Sequence, residues 1–278
     1  MFGLSKQGYH QRIKRANKRR DSNKTILAMV QEVRKTHPRA GARKLMVYLH
    51  DSLAQAQIKI GRNALNSILR ENGLLVKKTK RFHITTDSKH FFYKSPNLLK
   101  GAEITHAEQA VVCDITYLRT DEVHAYLSLA TDPYSKKIMG YAVDDNMRVD
   151  LVKKALKMAH KNMIFEHETV IHHSDRGIQY CCPDYSEFAE NLHFTLSTTQ
   201  QYDPYENAVA ERINETLKYE YGLNKKVPNL QTLKKLVKQT VDIYNNKRVH
   251  WSLDLRTPEE VHRSYNSLKY KSYSKKVA

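Results

Sequence analysis

Between residues 109 and 218 the chain alternates strand and helix patterns in a fixed order, which constrains the fold more than any other sequence feature. β-branched and apolar residues are concentrated at 109–118, 123–131 and 137–143, with turn-forming residues between them. Connections this short join neighbouring antiparallel strands. The sequence therefore predicts a three-stranded antiparallel meander at the start of this segment.

The rest of the segment adds helices and two further strands. Residues 149–161 have the apolar spacing of an amphipathic helix, and 169–173 and 194–197 are candidate strands. Further helices are expected at 184–191 and from about Asn207. The resulting order, β-β-β-α-β-α-β-α, is that of the ribonuclease H-like fold. We therefore expect an α/β catalytic core with a mixed five-stranded sheet and flanking helices.

A small all-helical domain is predicted ahead of this core. Apolar spacing indicates helices at 24–36, 42–52 and 62–72, with Gly73 as the residue that ends the third. A basic stretch, 76–83, follows them. Short helices with a basic surface are typical of a helix-turn-helix type module, which binds DNA.

Charge is divided unevenly along the chain. Residues 1–100 carry 23 Lys and Arg against 5 Asp and Glu, 101–211 carry 9 against 18, and 212–278 carry 15 against 6. Positive flanks attract a polyanion such as DNA because they neutralise phosphates and release counterions. The acidic middle is either an ordinary acidic surface or a set of carboxylates that divalent cations screen. Charge alone leaves both readings open.

Two classes of protein are excluded by composition. No apolar run approaches the ~18 residues that a membrane span needs, and no apolar region of a secretion signal follows the basic N-terminus. The three cysteines are too few and too irregular for a disulfide framework. We expect a reduced cytoplasmic protein that associates with the nucleoid.

Three acidic residues each break a local pattern. Asp114 lies within the apolar strand VVCDITYL, where a bare carboxylate is disfavoured unless a cation or a partner compensates it. Asp175 follows the apolar strand TVIHH at its C-terminal end, where sites tend to form in such sheets. Glu211 lies four residues into the helix that begins near Asn207. Taken singly, an acid at any of these positions is more commonly salt-bridged or solvent-facing.

Helical geometry predicts the direction of Glu211. Asn207, Glu211, Glu215 and Lys218 share one face of the helix, and the opposite face, with Val209, Ile213 and Leu217, should pack on the sheet. Carboxylates from three separate elements could then converge on two divalent ions ~3.5–4 Å apart, as in-line phosphoryl displacement requires. Glu215 is the substitute for Glu211, and Glu206 is a weaker one.

At these residues the chain resembles a known family. It is similar to the second-reading-frame transposase protein of two-frame bacterial insertion sequences, whose DDE catalytic core resembles that of retroviral integrase. Asp114 in DITYL, Asp175 in HSDRGIQY and Glu211 in DPYENAVAE match the two aspartates and the glutamate of that family. Thirty-five residues separate Asp175 from Glu211, which is the family's spacing. Lys218 matches a basic position that in the family lies beside the DNA end.

The resemblance covers nearly the whole chain. The run LRENGL (69–74) is similar to part of the family's DNA-binding region, and 244–261 to its closing motif. In the closing motif, Thr257 is expected to cap a helix, with Pro258 at its first position and Glu260 completing a capping box.

The resemblance implies an activity, cofactors and partners. The activity is cleavage of double-stranded DNA at element ends, followed by transfer of the freed 3′-hydroxyl to another DNA phosphate. Two Mg²⁺ ions, or Mn²⁺ in their place, would bind Asp114, Asp175 and Glu211. The expected partners are further copies of this chain on DNA and an upstream-frame DNA-binding protein, as a separate chain or a frameshift fusion. A ribonuclease H-like nuclease without joining activity and a non-catalytic DNA-binding regulator remain alternatives.

The domain organisation expected from these observations has five parts. They are a basic arm (1–25), a helix-turn-helix-like DNA-binding domain (26–83), a linker (84–105), a ribonuclease H-like integrase catalytic core (106–222), and a C-terminal helical extension with a basic tail (223–278).

Several residues are candidates for contact with DNA. They are Lys218, Arg176, His173, Asn207, Arg62, Arg70, Lys77 and Lys78. Trp251 could stack on DNA or pack in the core. The pairs His172–His173 and Cys181–Cys182 suggest zinc only weakly, because adjacent residues do not easily form a tetrahedral site. Strand-end histidines and packed cysteines are the alternative.

Overall fold

The computed structural model describes residues 6–76, 91–164, 168–200 and 207–264. The chain divides into two compact units, residues 1–79 and 80–278. The first unit has four helices among its described residues: α1 (Lys6–Thr36), α2 (Ala42–Tyr48), α3 (His50–Gln55) and α4 (Arg62–Glu71).

Helix α1 corrects the expectation of a separate basic arm. The helix expected at 24–36 begins at Lys6, so residues 6–25 are helical and continuous with the apolar part of the helix. Lys, Arg, Gln and Ala are good helix formers, and no proline interrupts them. Only Ile26 and Val30 of this helix are buried. The first five turns hold only scattered apolar residues, such as Tyr9 and Ile13, so apolar periodicity alone could not predict this part of the helix.

Another difference concerns the helix expected at 42–52, which is broken at Leu49 into α2 and α3. Leu45, Leu49 and Leu53 are all buried in one apolar cluster together with Ile26 and Val30 of α1. The apolar stripe therefore continues across the break, which explains why periodicity predicted one helix. Gly73, with φ +66°, ends α4 as expected.

The second unit is built on a five-stranded mixed sheet of order β3-β2-β1-β4-β5. β1 pairs antiparallel with β2, and β2 with β3, whereas β4 is parallel to both β1 and β5. This confirms the predicted meander and the mixed sheet. The elements of this unit are β1 (Ala110–Arg119), β2 (His124–Thr131), β3 (Ile138–Asp144), α5 (Val149–Lys161), β4 (Val170–Ser174), α6 (Ile178–Cys181), α7 (Pro183–Asn191), β5 (Phe194–Thr198), α8 (Ala208–Glu215) and α9 (Leu230–Asn246).

Helices cover both faces of the sheet. One buried cluster joins alternate strand residues to α5 and α7, and a second joins the opposite set to α8 and α9. Helix α5 lies unusually close to the sheet at Gly140 of β3. A Cβ at Gly140 would be 2.1 Å from the carbonyl oxygen of Ala155 and 2.5 Å from the amide nitrogen of Ala159, both in α5. Short α6 was not predicted, because four residues are too few to show a helical period.

Part of the expected linker packs against the edge of this unit. The amide of Leu98 donates to Ser197 Oγ at 2.9 Å, and Thr198 Oγ1 donates to the carbonyl of Ser95 at 2.7 Å. Phe92 packs against the α5 and α7 cluster. Residues 91–98 are therefore a covering segment for β5 rather than a free connection; residues 84–90 lie outside the described part of the chain.

The C-terminal extension is anchored by a predicted cap and by a buried polar network. Thr257 N donates to Glu260 Oε2 at 2.7 Å, and Glu260 N donates to Thr257 Oγ1 at 3.3 Å, which confirms the capping box. Residues 258–264 are helical. His262, fully buried, lies 3.0 Å from Glu108 Oε1 and 3.1 Å from Asp132 Oδ2, so it joins this helix to the segments before β1 and after β2.

In the part of the chain that the structure describes, no helix has both the length and the apolar character needed to span a membrane.

Candidate active site

Neighbouring parallel strands bring the two aspartates to the same level of the sheet. Cys113 of β1 is paired in register with Ser174 of β4. Asp114 and Asp175 are the next residues of each strand, and adjacent strands lie ~4.8 Å apart. This register places the two acids beside each other.

A glycine shapes the position of Asp175. The amide of Gly177 donates to Asp175 Oδ1 at 3.0 Å. A Cβ on Gly177 would itself stand 3.0 Å from that oxygen and 3.2 Å from Gln179 Oε1. Gly177 therefore leaves a cradle into which the carboxylate turns, and any side chain there would press on it.

Helix α8 carries Glu211 and is held against β1 by two asparagines. Asn207 Nδ2 donates to the carbonyl of Cys113 at 3.1 Å, and Asn214 Nδ2 donates to Asp114 Oδ2 at 2.8 Å. Glu211 lies between them on the helix and is exposed. The third acid is therefore presented on a rigid element beside the first.

The charges of the three carboxylates affect one another's pKa. The pKa of Asp114 is raised to about 7, by burial first and then by the charges of Asp175 and Glu211, while hydrogen bonds from Asn214 and the Ile115 amide act in the opposite direction. Burial also raises the pKa of Glu211, as do the neighbouring carboxylates of Glu215 and Asp175. Each member of the triad thus acts on another, as expected for like charges gathered in one place.

The donor set fits a hard divalent cation. Carboxylate oxygens are the ligands that Mg²⁺ prefers, and a cation would offset the mutual repulsion that raises these pKa values. Asp114 Oδ1 accepts from the Ile115 amide and Oδ2 from Asn214, which leaves further lone pairs free on both oxygens. As the side chains stand, no three Asp, Glu, His or Cys groups within the described residues are gathered around one metal position. The carboxylates therefore influence one another's pKa without forming a three-ligand cluster as the side chains stand.

Lys218 lies close to these carboxylates. It belongs to a π-helical turn, Thr216–Glu220, that continues α8. Burial lowers the pKa of Lys218, while the Asp114 carboxylate acts in the opposite direction and Arg119 lowers it. Arg176, next to Asp175, donates from Nε to the carbonyl of Thr199 at 2.6 Å. Lys218 is thus within electrostatic reach of Asp114, and Arg176 is adjacent to Asp175 in the sequence.

Two of the candidate DNA contacts are contradicted by burial. His173 is fully buried and its Nδ1 lies 2.8 Å from Ser197 Oγ, because β4 is a central strand covered on both faces. Asn207 is 5% exposed and bonded to β1. It precedes the first turn of α8, at φ −126°, so the helical period that placed it on the outer face does not apply. Neither side chain is presented to DNA.

The zinc reading is also wrong for the described residues. His172 Nε2 lies 2.8 Å from the hydroxyl of Tyr185, and all three cysteines are buried free thiols. Both histidines are core residues with hydrogen-bond partners on β5 or α7. Trp251, in contrast, is 55% exposed rather than packed in the core.

The remaining candidates lie elsewhere. Arg62 and Arg70 are exposed on α4 of the N-terminal unit. Lys77, Lys78 and the alternative acid Glu206 fall outside the described residues.

Sequence reasoning missed Asn214 and Gly177. Asn214 comes three residues after Glu211, so its direction was readable from helical spacing, yet an amide on a helix carries no distinctive chemistry. Gly177 stands two residues after Asp175, where a turn after a strand makes glycine unremarkable. Only the contacts with the acids reveal what these two residues do.

Family models described as Integrase core domain match residues 105–204 and 192–258. A protein of insertion element IS600 from Shigella sonnei, described as an uncharacterized 31 kDa protein, is 31% identical over 274 residues, covering 96% of this chain and 98% of that protein. The transposase of insertion sequence element IS904 from Lactococcus lactis subsp. lactis (strain IL1403) is 26% identical over 233 residues, covering 82% of this chain and 89% of that protein.

Among solved structures, similarity is found to the HTLV-2 integrase catalytic core domain in complex with magnesium, in its trimeric form. The sequence identity is 18% and the TM-score 0.45, over 56% of this chain and 97% of that chain.

The sheet order, the acids on neighbouring strands and the matches to the integrase core together define a DDE-type polynucleotidyl transferase. The near full-length relationship to insertion-element proteins is more specific. The chain belongs to the family of insertion-sequence transposases that contain an integrase core domain.

Proposed function

We propose that Asp114, Asp175 and Glu211 are the catalytic carboxylates of this transposase and that together they hold two Mg²⁺ ions, with Mn²⁺ able to substitute. The observation that carries this proposal is geometric: strand register sets Asp114 beside Asp175, and Asn214, on the helix that carries Glu211, donates to Asp114. The charges of the other two acids also raise the pKa of Asp114. Burial alone would not link residues 114, 175 and 211, whereas a common cation site requires their proximity.

Cleavage and joining are two displacements at phosphorus. In the first, water attacks a phosphodiester at the element end and the 3′-oxygen leaves as a hydroxyl. In the second, that hydroxyl oxygen bonds to a target phosphorus, and the target's own 3′-oxygen leaves with a proton. Bound divalent cations would activate the attacking oxygen and stabilise the leaving one.

The chain's own residues supply the orientation for these steps. The hydrogen bonds to both oxygens of Asp114 fix the direction of its carboxylate. The bond from Gly177 fixes that of Asp175. Lys218 and Arg176 would place positive charge beside the negatively charged DNA backbone, which the acids would otherwise repel.

The N-terminal unit would supply affinity for double-stranded DNA. Helix α1 carries ten Lys and Arg against two Asp and Glu, and its first fifteen residues are almost wholly exposed. Arg62 and Arg70 of α4 would add positive charge to the same unit. Lys77 and Lys78, which lie outside the described residues, are proposed as further DNA contacts. Two element ends must be brought together, so we propose that copies of the chain assemble on DNA, with the upstream-frame protein as a further partner. The place of action would be the nucleoid in the cytoplasm.

Substitution of each carboxylate tests the proposal. Asp114→Asn, Asp175→Asn and Glu211→Gln should each abolish cleavage and joining of labelled element-end oligonucleotides in Mg²⁺, because each removes a negatively charged ligand of nearly unchanged size. Binding of the same DNA should survive in all three. Asp145→Asn, an exposed acid in the same unit, is the matched control.

The outcomes separate the alternatives. Retained strand transfer by Asp175→Asn would contradict the proposal. Cleavage without joining by the unaltered protein would support a nuclease, and DNA binding with neither reaction would support a regulator.

A further inference from the structure

Two asparagines seven residues apart tie helix α8 to two consecutive residues of β1. Asn207 donates to the carbonyl of Cys113, and Asn214 donates to the carboxylate of Asp114. Both amides point toward β1, as their hydrogen-bond partners show. One bond holds the strand backbone and the other holds the acid that follows.

We propose that Asn207 and Asn214 are positioning residues that fix Asp114 and Glu211 in a common frame, so that both carboxylates can engage the same divalent cation site. This inference rests on the function proposed above. Asn214 acts on the carboxylate directly, and Asn207 fixes how far along β1 the helix begins.

The orientation of both amides follows from their partners. A carbonyl oxygen and a carboxylate oxygen are acceptors, so each asparagine must turn its NH₂ group toward the strand. Asn214 occupies one lone pair of Asp114 Oδ2, and the Ile115 amide occupies one of Oδ1. The carboxylate is thereby held from two sides while both of its oxygens retain capacity to bind a cation.

Burial indicates that these asparagines are not merely filling space. Asn207 and Asn214 are 5% and 4% exposed. The amide oxygen of each is buried and accepts no hydrogen bond from any residue that the structure describes. A buried acceptor without a donor lowers stability, so an apolar residue would suit packing better at both positions. The contacts with β1 are the feature that an apolar residue could not reproduce.

Glu211 depends on the same attachment. It lies four residues after Asn207 and three before Asn214, within the helical span that the two bonds pin to β1. A shift or rotation of α8 along β1 would therefore carry Glu211 away from Asp114. The aspartates need no such device, because strand register already sets their relative position.

Manganese binding by the full chain without DNA provides a readout that does not depend on turnover. In calorimetric or EPR titration, Asn214→Ala should weaken Mn²⁺ binding by about 10–100-fold, the usual range for residues that orient metal ligands. The Mg²⁺ concentration for half-maximal cleavage should rise by a similar factor, while the rate at saturating Mg²⁺ changes less. Asn207→Ala should act in the same direction.

Asn245→Ala is the matched control. Asn245 is also buried and also tethers a helix to a strand, since it exchanges two 2.9 Å hydrogen bonds with the backbone of Ile138. It joins α9 to β3, away from the acids. Its loss should lower the melting temperature and leave Mn²⁺ affinity within about twofold of the unaltered protein.

A second substitution and a double variant keep the test decisive. Asn214→Leu keeps the branching at Cγ and removes the donor, so it should reproduce the loss even where Asn214→Ala folds poorly. In an Asp114→Asn background, Asn214→Leu should have no further effect on the residual Mn²⁺ affinity, because its target carboxylate is absent.

The failures are distinguishable. If the unaltered chain binds no Mn²⁺, or Asp114→Asn binds it equally well, both the proposed function and this inference are overturned. If Asp114→Asn loses binding while both Asn214 variants retain it, only the positioning role is wrong. An equal loss in Asn245→Ala would also overturn it, since general loosening would then explain the effect.

Discussion

Asp114 is a carboxylate held in an environment that favours its protonated form. Its pKa of about 7 in the folded protein compares with 3.8 for an unperturbed side chain. Folding therefore disfavours the ionised form, and the resulting penalty grows as pH rises from about 4 to 7 and is constant above 7. An acid so placed is retained at the expense of stability, which is typical of a functional site.

The raised pKa of Asp114 leads to a prediction about stability. In EDTA, Asp114→Asn should melt several degrees higher than the unaltered protein above pH 7, since it removes a penalty of about 1–4 kcal/mol. The difference should shrink as pH falls and vanish near pH 4, where Asp114 is protonated in both states. Scanning calorimetry across this range, with Asp145→Asn as the control, measures it. A pH-independent difference would show that the charge of Asp114 is not the cause.

At this scale the sequence was informative where a residue broke a pattern. Asp114 stood out in an apolar strand and Asp175 at the end of one. The predictions that His173 and Asn207 contact DNA were wrong because the sequence does not show their surroundings. His173 lies beside Ser197 of β5, and Asn207 precedes the first turn of α8. Asn214 was missed because its role lies in one hydrogen bond to a residue one hundred positions away.

Among the elements, α5 and β3 show how closely a helix layer can approach a sheet. Gly140 permits this, because its missing Cβ would overlap the backbone of Ala155 and Ala159. Strand β3 is the outer strand of the meander and pairs only with β2 in the sheet. Its position thus depends on α5 and on Asn245 of α9.

Gly140→Ala should therefore destabilise the protein by about 1–3 kcal/mol or more, because backbone atoms of α5 must move. Urea unfolding should show a lower midpoint with an unchanged slope. Lys157→Ala, an exposed change on the same helix, should leave the midpoint nearly unaltered. Equal midpoints for Gly140→Ala and the unaltered protein would mean that α5 adjusts without cost.

Elements with clear apolar periods were predicted closely. The bounds of α5 agree with the expected 149–161, and the capping box at Thr257 is formed as the sequence indicated. The start of α1 was not predicted, because its first five turns show charge rather than periodicity. A helix stabilised by propensity alone leaves no apolar signal in the sequence.

For the molecule as a whole, the basic residues and the candidate catalytic acids lie in different segments of the chain. The basic residues are concentrated before residue 100 and after 211, and the acids between them. A concave part of the α1 surface is lined by Arg15, Arg19, Arg20 and Lys24. Such a cluster is suited to a phosphate backbone, which it would bind without regard to sequence.

DNA binding by the full chain should accordingly weaken steeply with salt. Changing all four of these residues to Gln should make the slope of log K against log salt less steep by about 3 to 4, if each neutralises one phosphate. The same change at Lys157 and Lys161 should leave the slope unaltered. Fluorescence anisotropy at several salt concentrations measures both, and equal slopes would exclude this surface as the contact.

The buried contact of His262 with Glu108 affects the order in which the two units can fold during synthesis. The last described helix of the N-terminal unit ends at residue 71, so the basic residues of these helices are synthesised before the core. The core must wait for a residue 154 positions after Glu108 before its polar network can close. On the ribosome, the basic helices would thus fold before the core can be completed. If the proposed roles are correct, a polypeptide that ends early would bind DNA without cleaving it.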